Sequence, residues 1–121
     1  MRGRTVANLP NIDAAVVEDA KLTGYLLDAG HPKGAAKARF LESFGFTRSD
    51  LAVLCDALVA HATANDVTSA RQSNHGTRFE IDGPLPTPDS RAPVVRVVWF
   101  VRASEDFPRL VTLIPRRVRR T

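Results

Sequence analysis

Hydrophobic and polar positions follow two different periods along the chain, and the change falls near residue 65. Before that point apolar side chains recur every three or four residues, the spacing that places them on one face of a helix. After it apolar and polar side chains alternate in short segments, which is typical of strands with one face in water. The sequence therefore predicts an α+β domain in which helices come first and strands follow.

Three helices are predicted, at about residues 18–27, 33–43 and 50–62. The first opens with acidic residues and carries leucines at helical spacing. Gly30 and Pro32 lie between the first and second helices, and both residue types interrupt helical structure. The first half of the chain is therefore expected to form three short helices.

Glycine and hydroxyl residues mark the expected ends of the later helices. Gly45 is expected to end the second helix, because glycine adopts the left-handed conformation that is common after a helix C-terminus. Thr47 or Ser49 is expected to cap the third helix. The apolar stripe of that third helix is expected to contain Leu51, Leu54, Cys55 and Leu58.

Four strands are predicted, at about residues 67–72, 76–82, 94–102 and 108–114. The first two are joined by the turn SNHG, and the loop at 83–93 contains four prolines. We expect three helices packed on a four-stranded antiparallel sheet. The chain is expected to be a single domain of residues 1–121, with a folded core at about 9–115 and a basic tail at 116–121.

The positive charge of the chain is concentrated in that tail. Lysines and arginines number 17 against 13 acidic residues, and the isoelectric point is about 10.0. Four of the arginines lie within the last six residues, so the remaining chain carries no formal net charge. Such a tail binds phosphate groups non-specifically or is a solvated end, and the overall charge is weak evidence for a nucleic-acid partner.

Several classes of protein are disfavoured by the sequence. The longest apolar run, at 97–101, is far shorter than the roughly 20 residues of a membrane span, and no apolar segment typical of a signal peptide follows the basic N-terminus. We therefore expect a cytoplasmic protein without membrane contact.

The single cysteine, Cys55, is expected to be a buried thiol. No metal-ligand or nucleotide-binding motif is present, so neither metal nor cofactor is expected.

The segment HPKGAAKARF, residues 31–40, contains the strongest candidate site. Lys37 falls on the same helical face as Phe40, Leu41 and Phe44, which must pack inward. An ammonium group buried without a partner costs several kcal/mol in free energy. Lys37 is therefore expected either to reach water or a carboxylate, or to line a functional cleft.

His31 and Lys33 strengthen the functional interpretation. They lie at the start of the predicted second helix, where free backbone N–H groups favour an anion such as phosphate. Lys33 and Arg39 are the candidate substrate-binding residues beside Lys37. The other histidines are weaker candidates: His61 is expected to interact with a helix C-terminal dipole, and His75 to be exposed in a turn.

Thr112 is the candidate on the last strand. By simple alternation it faces away from Val111 and Leu113 and shares a face with Leu110 and Ile114. A threonine at this position is either a residue that favours strand structure or a hydroxyl directed into a cleft. Trp99, in the strand before it, is expected to belong to the core.

Several motifs together resemble an uncharacterised bacterial domain family. They are LPN at 9–11, KLTGYLL at 21–27, HPKGAAKARF at 31–40, VVWF at 97–100 and PRLVTLIP at 108–115. The resemblance covers nearly the whole chain, and the HPxGxxKAxF block is its most specific part. It implies a small bacterial domain that is sometimes encoded beside a small partner gene or at the end of larger toxin-like proteins.

The order of elements is also loosely similar to metal-free ribonuclease toxins of the barnase, EndoU, colicin and RelE type. This similarity implies a site made of His31, Lys37, Thr112 and an arginine, either Arg78 or Arg109. The family's usual NPEHP reads DAGHP in this chain, and its usual near-terminal YP reads IP.

Two functional hypotheses follow. The first is a toxin-like endoribonuclease that cleaves RNA by acid–base catalysis. The second is a non-enzymatic module that binds a small acidic protein, of the immunity or antitoxin type.

Overall fold

A computed structural model of the chain describes residues 8–27, 30 and 34–116. Its helical elements are a 3-10 turn at Ile12–Ala14, α1 at Asp19–Lys21, a π-helical turn at Leu22–Leu26, α2 at Ala35–Ser43 and α3 at Leu51–Ala64. Its strands are β1 at Ser69–Ser73, β2 at Gly76–Pro84, β3 at Val94–Arg102 and β4 at Arg109–Pro115.

The four strands form one antiparallel sheet in the order β1-β2-β3-β4. Each strand pairs with its neighbour in the chain, as short connections favour. Beyond the outer edge of β4, Val16 forms a single parallel bridge to Arg109. The predicted α+β class and the four-stranded antiparallel sheet are thus confirmed.

The prediction of three regular helices is wrong. In the described part of the chain only α2 and α3 are longer than one turn, and the segment expected at 18–27 is α1 followed by the π-helical turn. Gly24 lies within that segment, and a glycine in a helix interior costs about 1 kcal/mol relative to alanine. The Leu27 N–H donates to the Leu22 carbonyl at 2.7 Å, the i to i+5 bond of a π turn. This turn places Leu22, Leu26 and Leu27 in the core with no exposed surface.

The predicted end of α2 is confirmed. Gly45 has a positive φ of 104°. Its N–H donates to the Glu42 carbonyl, and the N–H of Phe46 donates to the Leu41 carbonyl. This pair of bonds is a Schellman motif, and the buried side chains of Leu41 and Phe46 supply its usual apolar contact.

The predicted N-cap residue of α3 is wrong. Asp50 occupies the N-cap position and makes no side-chain capping bond. The hydroxyls of Thr47 and Ser49 lie 3.1 Å from each other instead. The predicted apolar stripe is correct, although Cys55 is half-buried at the edge of the core where full burial was expected.

The core lies between the helices and one face of the sheet. Trp99 is fully buried at its centre, as predicted. The buried cluster combines helical and strand residues, among them Leu22, Leu41, Leu54, Leu58, Ile81, Val97, Leu110 and Leu113.

A bulge in β4 changes which residues share a face. Val98 pairs with Thr112, but Trp99 pairs with Leu110, so Val111 is an extra residue. An extra residue reverses the alternation of side chains beyond it. Thr112 therefore lies on the face opposite the core, while Leu110 is in the core. The expectation that Thr112 and Leu110 share a face was wrong.

Candidate polar-face site

The sheet face opposite the core is lined by polar and charged side chains. Directly opposed residues of antiparallel strands point to the same face, so the strand register defines its members. We call this surface the polar face; it includes Ser69, Arg71, Ser73, Gly76, Arg78, Glu80, Asp82, Arg96, Val98, Phe100, Arg102, Arg109, Thr112 and Ile114.

Three arginines and one phenylalanine form a row across all four strands of the polar face. Arg71 pairs with Arg78, Arg78 with Phe100, and Phe100 with Arg109. Neighbouring strands are about 4.8 Å apart, so the row is about 14 Å long. We call these four residues the arginine row.

The next row contains the predicted threonine. Ser69, Glu80, Val98 and Thr112 pair in sequence across the sheet. At the β4 end the Lys37 ammonium donates a hydrogen bond to the Thr112 hydroxyl oxygen, with 2.7 Å between Nζ and Oγ1. A side chain from α2 thus supplies a positive charge to the polar face.

Lys37 occupies the position on α2 that its sequence pattern indicated. Ala38 and Leu41 beside it are buried, and Phe40 packs against the core. Lys37 itself is half-buried. Its apolar stem can therefore lie along these neighbours while the ammonium reaches the hydroxyl of Thr112 on β4.

Arg109 is held by two carboxylates and an aromatic ring. Its guanidinium makes a two-pronged contact with Glu105, at 2.9 Å for each bond, and approaches Glu18 at 3.4 Å. The guanidinium also lies 5.1 Å from the centre of the Phe107 ring. The hydrogen bond from Arg109 lowers the pKa of Glu105, and the same bond raises the pKa of Arg109. Arg109 is therefore fixed in position.

A second ion-pair network lies on β2 and β3. Arg78 contacts Glu80 at 3.1 Å, and Glu80 also contacts Arg96 at 3.5 Å. Arg96 binds Asp82 through two bonds of 2.8 and 3.0 Å. The hydrogen bond from Arg96 lowers the pKa of Asp82 and keeps that carboxylate ionised. The network leaves Arg78 the most accessible of its members, with 45% of its side chain exposed.

The structure brings four of the predicted site residues to one surface. Lys37 and Thr112 are in direct contact, and Arg78 and Arg109 lie in the arginine row two strands apart. Arg39 is exposed on α2, about 200° around the helix from Lys37. His31 and Lys33 lie outside the described residues.

Arg71, Glu80 and Phe100 also belong to this surface and were not among the predicted site residues. The alternation along β2 shows that Glu80 faces water with its polar neighbours. Phe100 lies in VVRVVWFVR, a strand that is mostly apolar on both faces, so its outward orientation has no clear signal in the sequence.

The two histidines of the described chain lie away from the polar face. His75 is exposed in the β1–β2 turn, as expected. His61 is fully buried against the core side of the sheet, and its Nε2–H donates to the Gly83 carbonyl at 3.2 Å. His61 lies in the last turn of α3, so its expected interaction with the C-terminal dipole of that helix stays a prediction.

Among the residues that the structure describes, no group of three or more histidine, cysteine, aspartate or glutamate side chains is arranged to hold a metal ion. None of the helices in the described ranges has the length and apolar character of a membrane span.

The helical layer, the antiparallel sheet and the charged outer face define a small α+β domain with one ion-paired sheet surface. The chain belongs to the family described as a domain of unknown function, DUF6883, whose model matches residues 8–117. No curated protein matches the chain.

The fold is similar to that of a solved structure. It is a chain of the contact-dependent growth inhibition toxin–immunity protein complex from Klebsiella pneumoniae 342, with a TM-score of 0.69 and 18% identity. The match covers 88% of this chain and 97% of that chain. At this level of identity the similarity establishes a common fold.

Proposed function

We propose that this domain is a toxin-like, metal-free endoribonuclease that cleaves RNA on the polar face of its sheet. The observation that carries the proposal is the 2.7 Å bond between the Lys37 ammonium and the Thr112 hydroxyl. It joins a cation from a helix to a hydroxyl on a sheet surface that also carries arginines. The fold is shared with one chain of a toxin–immunity protein complex, and this supports a role in a system of that kind.

Cleavage of RNA without a metal requires a base, an acid and a cationic site for the phosphate. The 2′-oxygen forms a new bond to phosphorus, and the bond to the 5′-oxygen breaks. The base takes the proton of the 2′-hydroxyl, and the acid gives a proton to the departing 5′-oxygen. His31 is the candidate for one of these two roles, because imidazole exchanges protons near neutral pH.

Lys37 and Thr112 are assigned to the phosphate. The ammonium of Lys37 stabilises the charge that develops on the phosphate oxygens, and the Thr112 hydroxyl positions one of those oxygens. Arg78 is the arginine suited to contact RNA, because its side chain is 45% exposed against 23% for Arg109. The carboxylate of Glu105 holds Arg109 in place, so Arg109 contributes positive charge to the surface.

Cleavage assays with matched variants test this assignment. End-labelled RNA is incubated with the purified domain in the presence of EDTA, and a copy with 2′-deoxyribose at the cleaved position serves as the uncleavable control. Lys37→Met is expected to lower the cleavage rate by about 10²–10³, the cost typical of losing one oxyanion contact. Thr112→Val is expected to lower the rate, and Thr112→Ser to preserve it. Absence of cleavage of any RNA by the unaltered domain rejects the enzyme.

The stability of Lys37→Met distinguishes a functional lysine from a structural one. If Lys37 serves catalysis, methionine fits the apolar helix face and the melting temperature is equal or higher. If Lys37 stabilises the fold, its removal lowers the free energy of unfolding by about 1–3 kcal/mol. Thermal melts of Lys37→Met and of the unaltered protein at pH 7 show whether the substitution raises or lowers the stability.

The alternative is a protein-binding module without catalytic activity, and the ion pairs of the polar-face arginines favour this alternative. Arg78, Arg96 and Arg109 each contact a carboxylate within the domain, as structural arginines do. In either case the proposed protein partner is a small acidic protein of the immunity type. Co-purification with such a protein, harmless expression of the domain alone and no RNA cleavage would together select the binding module.

A further inference from the structure

The arginine row of Arg71, Arg78, Phe100 and Arg109 has a composition suited to single-stranded nucleic acid. We infer that a single-stranded segment of RNA lies along this row, with one base stacked on the Phe100 ring. The inference rests on the proposed function, because it names the form of the substrate and the residue that selects it. It also predicts binding that can be measured without cleavage.

Phe100 is placed for stacking by its neighbours. It is half-buried on the polar face, and Arg78 and Arg109 are its direct partners on the adjacent strands. A hollow in the surface beside it is also lined by Lys21 and Arg102, together with the carboxylate of Glu18. An aromatic ring with basic side chains on both sides provides a stacking surface for a base, and those basic side chains that remain exposed can contact the flanking phosphates.

A second hollow lies at the other end of the row. It is lined by Ser69, Arg71, Arg78 and Glu80. Within the described ranges Arg71 makes no ion pair, and its side chain is exposed. Arg71 is therefore available to bind a phosphate, while Glu80 is shared between Arg78 and Arg96.

The geometry favours a single strand over a duplex. In a duplex each base is already stacked on its neighbours, so a side chain on a flat sheet cannot reach a base face. An unpaired base can turn outward and stack on an aromatic ring. The Phe100 ring is thus useful to a single-stranded segment and not to a duplex.

The stacking position is close to the proposed cleavage position. Thr112 pairs with Val98, which is two residues before Phe100 on β3. Two residues of a strand span about 7 Å. The base on Phe100 would therefore belong to a nucleotide at or next to the phosphate held by Lys37 and Thr112, so Phe100 would influence which position is cut.

Binding of a fluorescent DNA oligonucleotide, measured by anisotropy over a salt series, tests the inference. DNA lacks the 2′-hydroxyl and cannot be cleaved by the proposed chemistry. Phe100→Leu is expected to weaken single-strand binding about tenfold, and Phe100→Trp to preserve it. Arg71→Gln is expected to reduce the slope of log affinity against log salt by about 0.7, the loss of one phosphate contact. Arg91→Gln, an equal charge change in the 85–93 loop, is the control and is expected to leave binding unchanged.

The outcomes separate the inference from the proposed function. If the Phe100 and Arg71 variants lose binding and the unaltered domain cleaves no RNA, the arginine row is supported as a binding site and the nuclease is rejected. If the unaltered domain cleaves RNA and both variants bind as tightly as it does, the nuclease is supported and the arginine row is overturned. Equal effects of Arg71→Gln and Arg91→Gln on the salt slope also overturn the arginine row. Circular dichroism of each variant confirms that the comparison is between folded proteins.

Discussion

The imidazole of His61 on α3 donates a hydrogen bond to the carbonyl of Gly83 on β2, with 3.2 Å between the two atoms. This bond joins the helical layer to the sheet from within the core. His61 has no exposed surface, and burial lowers its pKa below the ordinary value of 6.5. The folded protein therefore holds the histidine in its neutral form.

The first prediction is a loss of stability in mild acid. As the pH falls below about 6.5 the unfolded chain binds a proton at His61 more readily than the folded protein does, so the free energy of unfolding decreases. The decrease continues until the pH reaches the lower pKa of the folded state. Thermal melts between pH 7.5 and 5 measure this slope.

His61→Gln is expected to remove that part of the slope. His75→Gln is the matched control, because His75 is exposed, and it is expected to keep the slope of the unaltered protein. An identical slope in His61→Gln and in the unaltered protein would show that His61 does not cause the acid sensitivity.

The second prediction concerns Gly76 in the β1–β2 turn. Gly76 has a φ of 145°, a conformation that residues with a side chain rarely adopt. A Cβ at this position would collide with the carbonyl oxygen of Val101 on β3. Gly76→Ala is therefore expected to lower the free energy of unfolding by at least about 2 kcal/mol, measured by urea titration.

Gly24→Ala is the control for this substitution. A Cβ at Gly24 would meet no atom within 4 Å, and Gly24 lies in a helical segment without a positive φ. Because alanine favours a helix interior more than glycine, its effect is expected to lie between zero and a stabilisation of about 1 kcal/mol. Similar destabilisation by both substitutions would contradict the steric explanation for Gly76.

The third prediction assigns non-specific binding to the basic tail. The backbone N–H of Arg116 donates to the Val94 carbonyl, so Arg116 belongs to the end of the sheet. Deletion of residues 117–121 removes three arginines without touching this bond. We expect the truncated protein to lose most of its affinity for duplex nucleic acid at low salt, with a salt slope reduced by about 2–3.

The melting temperature of the truncated protein is expected to stay unchanged. Duplex affinity that persists after truncation would place the phosphate contacts on the folded body.

The sequence by itself determined the class of fold and most of the element positions. The change of period near residue 65 separates helices from strands, and the apolar segment at 94–102 coincides with β3. Gly45 ends α2 as its residue type indicates. These features depend on interactions between residues close in the chain, which periodicity and turn chemistry report directly.

The tertiary structure decided the features that make the candidate site. The contact between Lys37 and Thr112 joins residues 75 positions apart, and the pattern around Lys37 predicted an unusual ammonium but not what it meets. The bulge at Val111 turns Thr112 away from the core, and only the pairing of β3 with β4 reveals it. Phe100 lies in a strand that is mostly apolar, so its place among the arginines follows from the register. Local patterns specify how each segment folds, whereas the packing of α2 against β4 and the strand register arise from long-range contacts that no single segment encodes.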